Sequence, residues 1–357
     1  MTPTLSICVP TLNTLPFLSE RFDSIFRQSF QDWELFVYDS YSDDGSWEFI
    51  QELATKDPRV RIGQGPRQGP YPAWNECLRH TTGEYVYVAT SDDSISDNFF
   101  EKMVDALDKH PQCELAHSPL IIVDVNGNSL SDRAWPECTV FSDAIGDILK
   151  NPHVRRAPFD GLLHLTGRHN VLSITQLLIR RSLFSRIGPF PDRWGSISDF
   201  NWEMKAGLVA DMVHVPATWA TWRFHPQQSS ASNKSGTIEH FNQVEDMIGN
   251  AVSECLTRLP SAVAASLEAH VLDETKNMRI YYHTLRRLGD DRLRRRAFQL
   301  AQVVAGKMAV RREILGRIIG RAKWSDSAPM EIRLWLERLG LQPIVPCSMS
   351  EDEHGSV

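Results

Sequence analysis

The sequence predicts an α/β fold in which a mostly parallel sheet is covered by helices and followed by a helical C-terminal region. Three observations carry this. Over roughly the first 120 residues, short apolar, β-branched runs alternate with amphipathic stretches. The strand-like runs end in polar clusters, as they do where a doubly wound sheet binds its ligand. Beyond about residue 236 the composition turns helical.

Leu5 to Val9 reads as the first strand. Thr14 then offers a helix cap and Pro16 fits a first turn, and Phe17, Leu18, Phe22, Ile25 and Phe26 recur at helical spacing. Leu35 to Tyr38 is the second strand, and its turn leads to a helix carrying Trp47, Phe49, Ile50 and Leu53. Val60 to Ile62 is a third strand, Tyr71 to His80 a helix, Tyr85 to Ala89 a fourth strand, and Phe99 to Leu107 the next helix. Glu114 to Asp124 reads as one strand, Ser173 to Ile179 as another, and Ser198 to Ala210 as a helix. Val213 to Phe224 is extended and broken at Pro216. From Thr237 to Gly340 four or five helices are expected, with a disordered tail at 346–357. The domain division is therefore 1–235 and 236–345.

A chain of 357 residues is long for a single core and agrees with two units. A formal net charge of -7 argues against nucleic acid as a partner, because phosphate backbones select basic faces. The six cysteines are scattered with no metal-knuckle or disulfide spacing, which suits free thiols in a reducing compartment. No apolar run approaches the ~20 residues of a membrane span, so a cytoplasmic protein is expected. Between Arg286 and Lys323 basic residues dominate, including Arg292, Arg294, Arg295, Arg296, Arg311, Arg312, Arg317 and Arg321. These helices are candidates for contact with the inner face of an anionic membrane, or for packing on the catalytic domain or a second subunit.

The strand ends carry Pro10-Thr11-Leu12-Asn13, Asp39 and Thr90-Ser91-Asp92-Asp93. No G-x-G-x-x-G follows the first strand and no P-loop occurs, which lowers dehydrogenases and P-loop enzymes. A nucleotidyltransferase would begin with a glycine-rich basic loop that Leu12 to Phe17 lacks. By residue type alone, Asp39 also suits a plain turn and Asp199 a helix N-cap.

Taken in order, Val9-Pro10-Thr11-Leu12-Asn13, the run Glu34 to Ser46, Gly69 to Asn75, Gly83-Glu84-Tyr85 before Thr90-Ser91-Asp92-Asp93, and Gly195 to Met204 resemble the inverting glycosyltransferases of family 2, with the GT-A fold. The resemblance covers Leu5 to about Ser230. It implies transfer of a sugar from a nucleotide-sugar donor, a UDP-sugar, to a hydroxyl of a glycan, glycolipid or other acceptor, with inversion. It places Pro10, Thr11, Asn13, Asp39, Arg67, Ser91 and Asp92 at the nucleotide, with Asp39 accepting from uracil or thymine N3–H and Arg67 against the base or ribose. It makes Asp92 and His225 ligands of a divalent cation, Mg2+ or Mn2+, with Asp93 and Arg223 as further contacts and Asp199 as general base. Thr90 stands where the family has an aspartate, and Ser198 where it has an acid. Those two substitutions keep a second reading open, an inactive nucleotide-binding or scaffold protein. His153, Arg155, Arg156, His164, Arg168, His169 and Asn170 read as an acceptor-facing loop, with a plain surface loop as the alternative.

Overall fold

A computed structural model describes residues 2–135, 146–165, 170–226, 228, 238–267, 294–295 and 328–347. Arg168, His169 and the basic residues of 286–323 other than Arg294 and Arg295 lie outside the described residues, as do 348–357. Among the described residues no helix is long and apolar enough to cross a membrane.

The first half consists of β1 (Leu5–Thr11), α1 (Leu15–Phe26), β2 (Trp33–Asp39), α2 (Ser46–Lys56), β3 (Val60–Gln64), α3 (Pro70–Arg79), β4 (Tyr85–Val88), α4 (Phe99–Lys109), β5 (Cys113–His117) and β6 (Leu120–Val123). Then follow β7 (His153–Arg155), α5 (Phe159–Leu165), β8 (Leu177–Arg180), α6 (Ser182–Ile187), α7 (Ser198–Val209), β9 (Asp211–His214), β10 (Ala220–Arg223), α8 (Ile238–Cys255), α9 (Ser261–Ser266), α10 (Ala328–Arg338) and β11 (Ile344–Pro346).

Nine strands form one sheet in the order β11-β7-β9-β5-β8-β4-β1-β2-β3. Only β7 and β8 run against the others, so the sheet is mostly parallel. A parallel strand buried on both faces needs a continuous apolar run rather than an alternating one. In β1, Leu5, Ile7, Cys8 and Val9 are all fully buried. Helices cover both faces, and α4 docks through Phe99, Phe100, Met103, Val104 and Leu107 at helical spacing. The β1–β2–β3 register sets Thr11 opposite Asp39 and Asp39 opposite Gln64, one polar row across three strand ends.

Several local expectations shift. The stretch expected as one strand from 114 to 124 divides at Ser118-Pro119. β5 stays in the main sheet and β6 pairs with β10 in a two-stranded sheet, since proline cannot donate to a ladder. Before β8, a 3-10 turn at Ile174–Gln176 is closed by a Ser173/Gln176 capping box. Thr14 stands at the start of α1 without a side-chain cap bond. Its N–H donates instead to Ser46 Oγ at 3.2 Å, and the Leu15 N–H to Asp44 Oδ2 at 3.0 Å. The β2–α2 loop thus caps α1.

The described C-terminal helices share a core with the first domain: Met247, Ile248, Val252, Val263 and Leu336 pack with Phe159, Leu163, Met204 and Leu208. β11, a strand absent from the sequence reading, pairs antiparallel with β7. Cys347, expected in the tail, donates its N–H to Pro152 O at 3.1 Å. Beneath these helices α5 and α7 cross in backbone contact, where a Cβ on Gly207 would lie 2.5 Å from Gly161 N.

The stretch read as an acceptor-facing loop turns inward. Among its described residues, His153, Arg155, His164 and Asn170 are buried and Arg156 is exposed. His153 and Arg155 lie on β7 beside His117 and His214 of β5 and β9. His214 Nε2 donates to Leu149 O at 2.9 Å, and the Nδ1 atoms of His214 and His117 lie 3.0 Å apart, with Arg155 Nη2 3.1 Å from His117 Nδ1. His117 Nε2 accepts from Gln176 Nε2 at 3.0 Å, and His153 Nε2 from Arg155 Nη1 at 3.1 Å. Arg155 completes the cluster with Asp160 at 2.9 and 3.0 Å. Burial and the Arg155 charge push His117 and His214 well down and His153 down to about 3, so the three rings are neutral near pH 7.

Two outcomes follow from this packing. The unfolded chain protonates these histidines below about pH 6.5 while the fold resists. Stability is therefore fully present above that pH and lost as pH falls toward 3, which thermal melts from pH 8 to pH 4 will register as a falling Tm. Gly207→Ala forces two helix backbones apart and costs about 1–3 kcal/mol in denaturant titration.

Candidate functional site

The carboxyl ends of β1, β2 and β4 open onto a cleft of about 340 Å3 lined by Pro10, Thr11, Leu12, Ser40, Thr90, Ser91, Asp92 and His225, with Gly69, Pro70, Ala73 and Trp74 as its opposite wall. Two loops at its mouth are fastened by Asp43. The Asn13 side chain gives Nδ2–H to Asp43 Oδ1 at 2.8 Å and accepts the Asp43 N–H at 2.9 Å. Arg67 Nη2 reaches Asp43 Oδ2 at 2.9 Å and Tyr41 O at 2.6 Å. Those hydrogen bonds, with the Arg67 charge, hold Asp43 below the usual carboxylate range. Asn13 and Tyr41 both sit at φ 53°, which this clasp sustains. Asn13 and Arg67 therefore shape the loops at the mouth of the cleft.

Asp39 is fully buried at the end of β2. Oδ1 accepts from the Thr11 and Ser42 hydroxyls, and Oδ2 from the Ser42 N–H and Gln64 Nε2, both at 3.0 Å. Four donors fill the acceptor capacity of a carboxylate. A base can meet Asp39 only by displacing one of them.

The Thr90–Asp93 loop divides its side chains. Asp92 faces the cleft, with Oδ2 3.0 Å from His225 Nε2. Asp93 points inward, buried, accepting the Thr90 hydroxyl and the Arg223 N–H. Burial and the neighbouring Asp92 charge push its carboxyl up to about 7. Thr90 lines the cleft with its hydroxyl given to Asp93, whereas Asp93 caps no helix and does not line the cleft. Arg223 does not reach the cleft either. Its guanidinium is buried, giving Nε to Asp92 O at 2.7 Å, Nη1 to Val125 O at 3.1 Å and Nη2 to Glu20 Oε1 at 2.6 Å. It builds the loop that presents Asp92.

Asp199 lies in the first turn of α7. Its Oδ1 accepts from the Tyr71 hydroxyl at 2.9 Å and from the Phe200 N–H at 3.0 Å. Tyr71 belongs to α3, whose residues Pro70, Ala73 and Trp74 line the cleft, and this bond ties Asp199 to that helix, although neither Tyr71 nor Asp199 lines the cleft itself. Burial pushes its carboxyl up to about 6, against the pull of both hydrogen bonds. One turn on, Glu203 is buried with both oxygens lacking a hydrogen bond, and burial and the Asp199 charge raise it well above the usual carboxylate range. His164 Nε2 stands 3.7 Å from it.

Sequence reasoning missed Tyr71, Gln64 and Glu203. Tyr71 sits inside the Gly69–Asn75 segment and Glu203 at i+4 from Asp199, so both had a signal in spacing. Gln64 had none before the β2–β3 register was known. Arg180 and Arg181 bind Glu84 and Gly83 O at the other end of the sheet, away from the cleft.

No group of three or more His, Cys, Asp or Glu side chains among the described residues is placed to hold a metal. Asp92 and His225 can supply two donors. That is the set of a hard cation held by one carboxylate and completed by ligand phosphates, rather than a protein cage.

The profile of the family described as Glycosyl transferase family 2 matches residues 6–188, just over half of the chain. The protein belongs to glycosyl transferase family 2. An uncharacterized glycosyltransferase of Haemophilus influenzae is 33% identical over 130 residues, 36% of this chain and 51% of the relative. A GalNAc(5)-diNAcBac-PP-undecaprenol beta-1,3-glucosyltransferase of Campylobacter jejuni is 35% identical over 95 residues, 26% of this chain and 31% of the relative. The chain thus spans about half of these curated relatives or less. Among solved structures, S. aureus TarS 1–349 in complex with UDP superposes with TM-score 0.55 at 16% identity, covering 95% of this chain and 92% of that one. The mannosyltransferase PcManGT from Pyrobaculum calidifontis, in complex with GDP-Man and Mn2+, gives 0.51 at 16% identity over 95% and 86%. These likenesses show the fold, and the family membership rests on the profile.

Arg223→Lys keeps the charge but replaces a planar fork by one ammonium that cannot serve Asp92 O, Val125 O and Glu20 together. Urea titration should show a loss of more than about 2 kcal/mol, the scale of hydrogen bonds made by a charged group.

Proposed function

We propose that the protein transfers a glycosyl residue from a UDP-sugar to an acceptor hydroxyl, with inversion at the anomeric carbon. The observation that carries this is Asp199, a carboxyl pushed up to about 6 by burial and bonded to Tyr71 of α3, the helix that lines the same cleft as Asp92. Family membership and the UDP complex of the similarly folded TarS support a nucleotide donor.

In this reading the uracil N3–H takes the place of the Gln64 amide on Asp39, and the freed Gln64 side chain meets a base carbonyl. Cytosine, whose N3 is an acceptor, would set lone pair against carboxylate. Asp92 and His225 would hold a divalent cation, whose bound charge stabilises the departing diphosphate. Asp199 removes the proton from the acceptor oxygen as that oxygen bonds to the anomeric carbon. The bond from that carbon to the diphosphate oxygen breaks with its electron pair leaving on UDP. Glu203, kept protonated by burial, adds no second negative charge beside the base. A glycan or glycolipid hydroxyl is the proposed acceptor.

Three outcomes test the reading. Asp199→Asn should leave UDP affinity within about twofold and lower turnover at least ~100-fold, the usual scale for a positioned base; undiminished turnover removes Asp199 from the role. The base must be ionised, so kcat/KM should fall as pH drops through about 6, and a profile flat to pH 5 contradicts it. In calorimetry with and without Mn2+, UDP should bind in preference to CDP, and Asp39→Ala should remove that preference. Absence of binding to any nucleotide would favour a scaffold.

A further inference from the structure

A second, larger groove of about 900 Å3 lies outside the catalytic cleft, between the C-terminal half of α1, the first turn of α4 and the β6–β10 pair. Its volume suits a ligand of several rings. The wall combines one exposed aromatic ring, Trp219, with planar polar side chains: Arg27, Asp97, Asn98, Glu101 and Glu20.

Trp219 is 38% exposed, yet its backbone is fixed. Its carbonyl accepts the Ser96 N–H at 3.1 Å and its own N–H donates to Ser96 Oγ at 3.3 Å. The adjoining Thr218 hydroxyl donates to Asn98 Oδ1 at 3.1 Å. A large ring left in water on an immobile backbone is a platform prepared before any ligand arrives, which reduces the ordering cost of binding. Around it, Asp97 meets Arg27 Nε at 3.3 Å through one oxygen, and Glu101 takes the Ser29 hydroxyl through one oxygen. Each carboxylate keeps lone pairs for further donors.

That combination selects its ligand by chemistry. A pyranose presents a face of C–H groups that lies flat on an aromatic ring, and a rim of paired hydroxyls that planar carboxylate and guanidinium groups bind two at a time. Glu20, Asp97 and Glu101 outweigh Arg27, so phosphates, nucleic acids and sulfated or teichoic polymers are repelled. An apolar peptide would bury those carboxylates without donors, at a cost. We propose that this groove is a non-catalytic saccharide site that holds a neutral oligosaccharide. Glu20 lines the groove and accepts from Arg223, which in turn holds Asp92 O, so the two sites share one guanidinium.

The proposal needs no transfer reaction, and its test uses none. The full chain, without nucleotide, is titrated by saturation-transfer NMR and calorimetry with hexasaccharides of β-1,4-glucose, α-1,4-glucose and β-1,4-N-acetylglucosamine, and with polyphosphate. At least one neutral hexasaccharide should bind. Trp219→Ala should weaken it at least ~10-fold, the scale of losing an aromatic anchor, with an unchanged melting profile showing that the fold persists. Asp199→Asn should leave that binding unaltered. If no hexasaccharide binds, if Trp219→Ala binds as well as wild type, or if polyphosphate competes on equal terms, the proposal is overturned. Failure of the transferase reading would appear separately, as absent nucleotide binding with hexasaccharide binding intact.

Discussion

The buried guanidinium of Arg223 is the interaction on which the strand-end wall of the cleft depends. It takes the carbonyl of Asp92, the carbonyl of Val125 beyond β6 and the carboxylate of Glu20 on α1, and so joins a loop, the small sheet and a helix at one point. A planar fork with five N–H donors suits such a junction because its directions are fixed before the partners arrive. Asp93 completes the arrangement by accepting the Arg223 N–H, which leaves the consecutive aspartates on opposite sides of their loop. One is spent on architecture and the other is offered to the cleft.

The α5–α7 side is governed by close approach. Gly161 and Gly207 let α5 and α7 meet backbone to backbone, and the N-terminal turn of α7 then delivers Asp199 to Tyr71. Burial of Glu203 and the desolvation of Asp199 one turn before it raise both carboxyls. Packing and acid–base tuning have one cause here.

Much of this was legible in the sequence, for identifiable reasons. Apolar runs ending in Pro10-Thr11, Asp39 and Thr90 to Asp93 marked the strand ends, because a parallel sheet buries both faces of its strands and leaves only the ends polar. Asp199 was legible through the resemblance of Gly195 to Met204 to the family's acidic motif. The task of Arg223 was not: its partners are mainly backbone carbonyls, which have no residue signature. His153, Arg155 and Asn170 look like surface residues in a list of types, yet they meet His117, His214 and Asp160 in the interior. Only the order of the strands makes those side chains neighbours.

The short strand β11 has a consequence for how the molecule is made. It covers the outer edge of β7, and every strand it protects precedes it in the chain by a long interval. During synthesis the sheet can assemble from β3 across to β7 while that edge still presents unpaired N–H and C=O groups, open to another nascent chain. Closure waits for residues 344–346. That short segment thus serves as the seal on the sheet, and a protein truncated before it would carry an adhesive border.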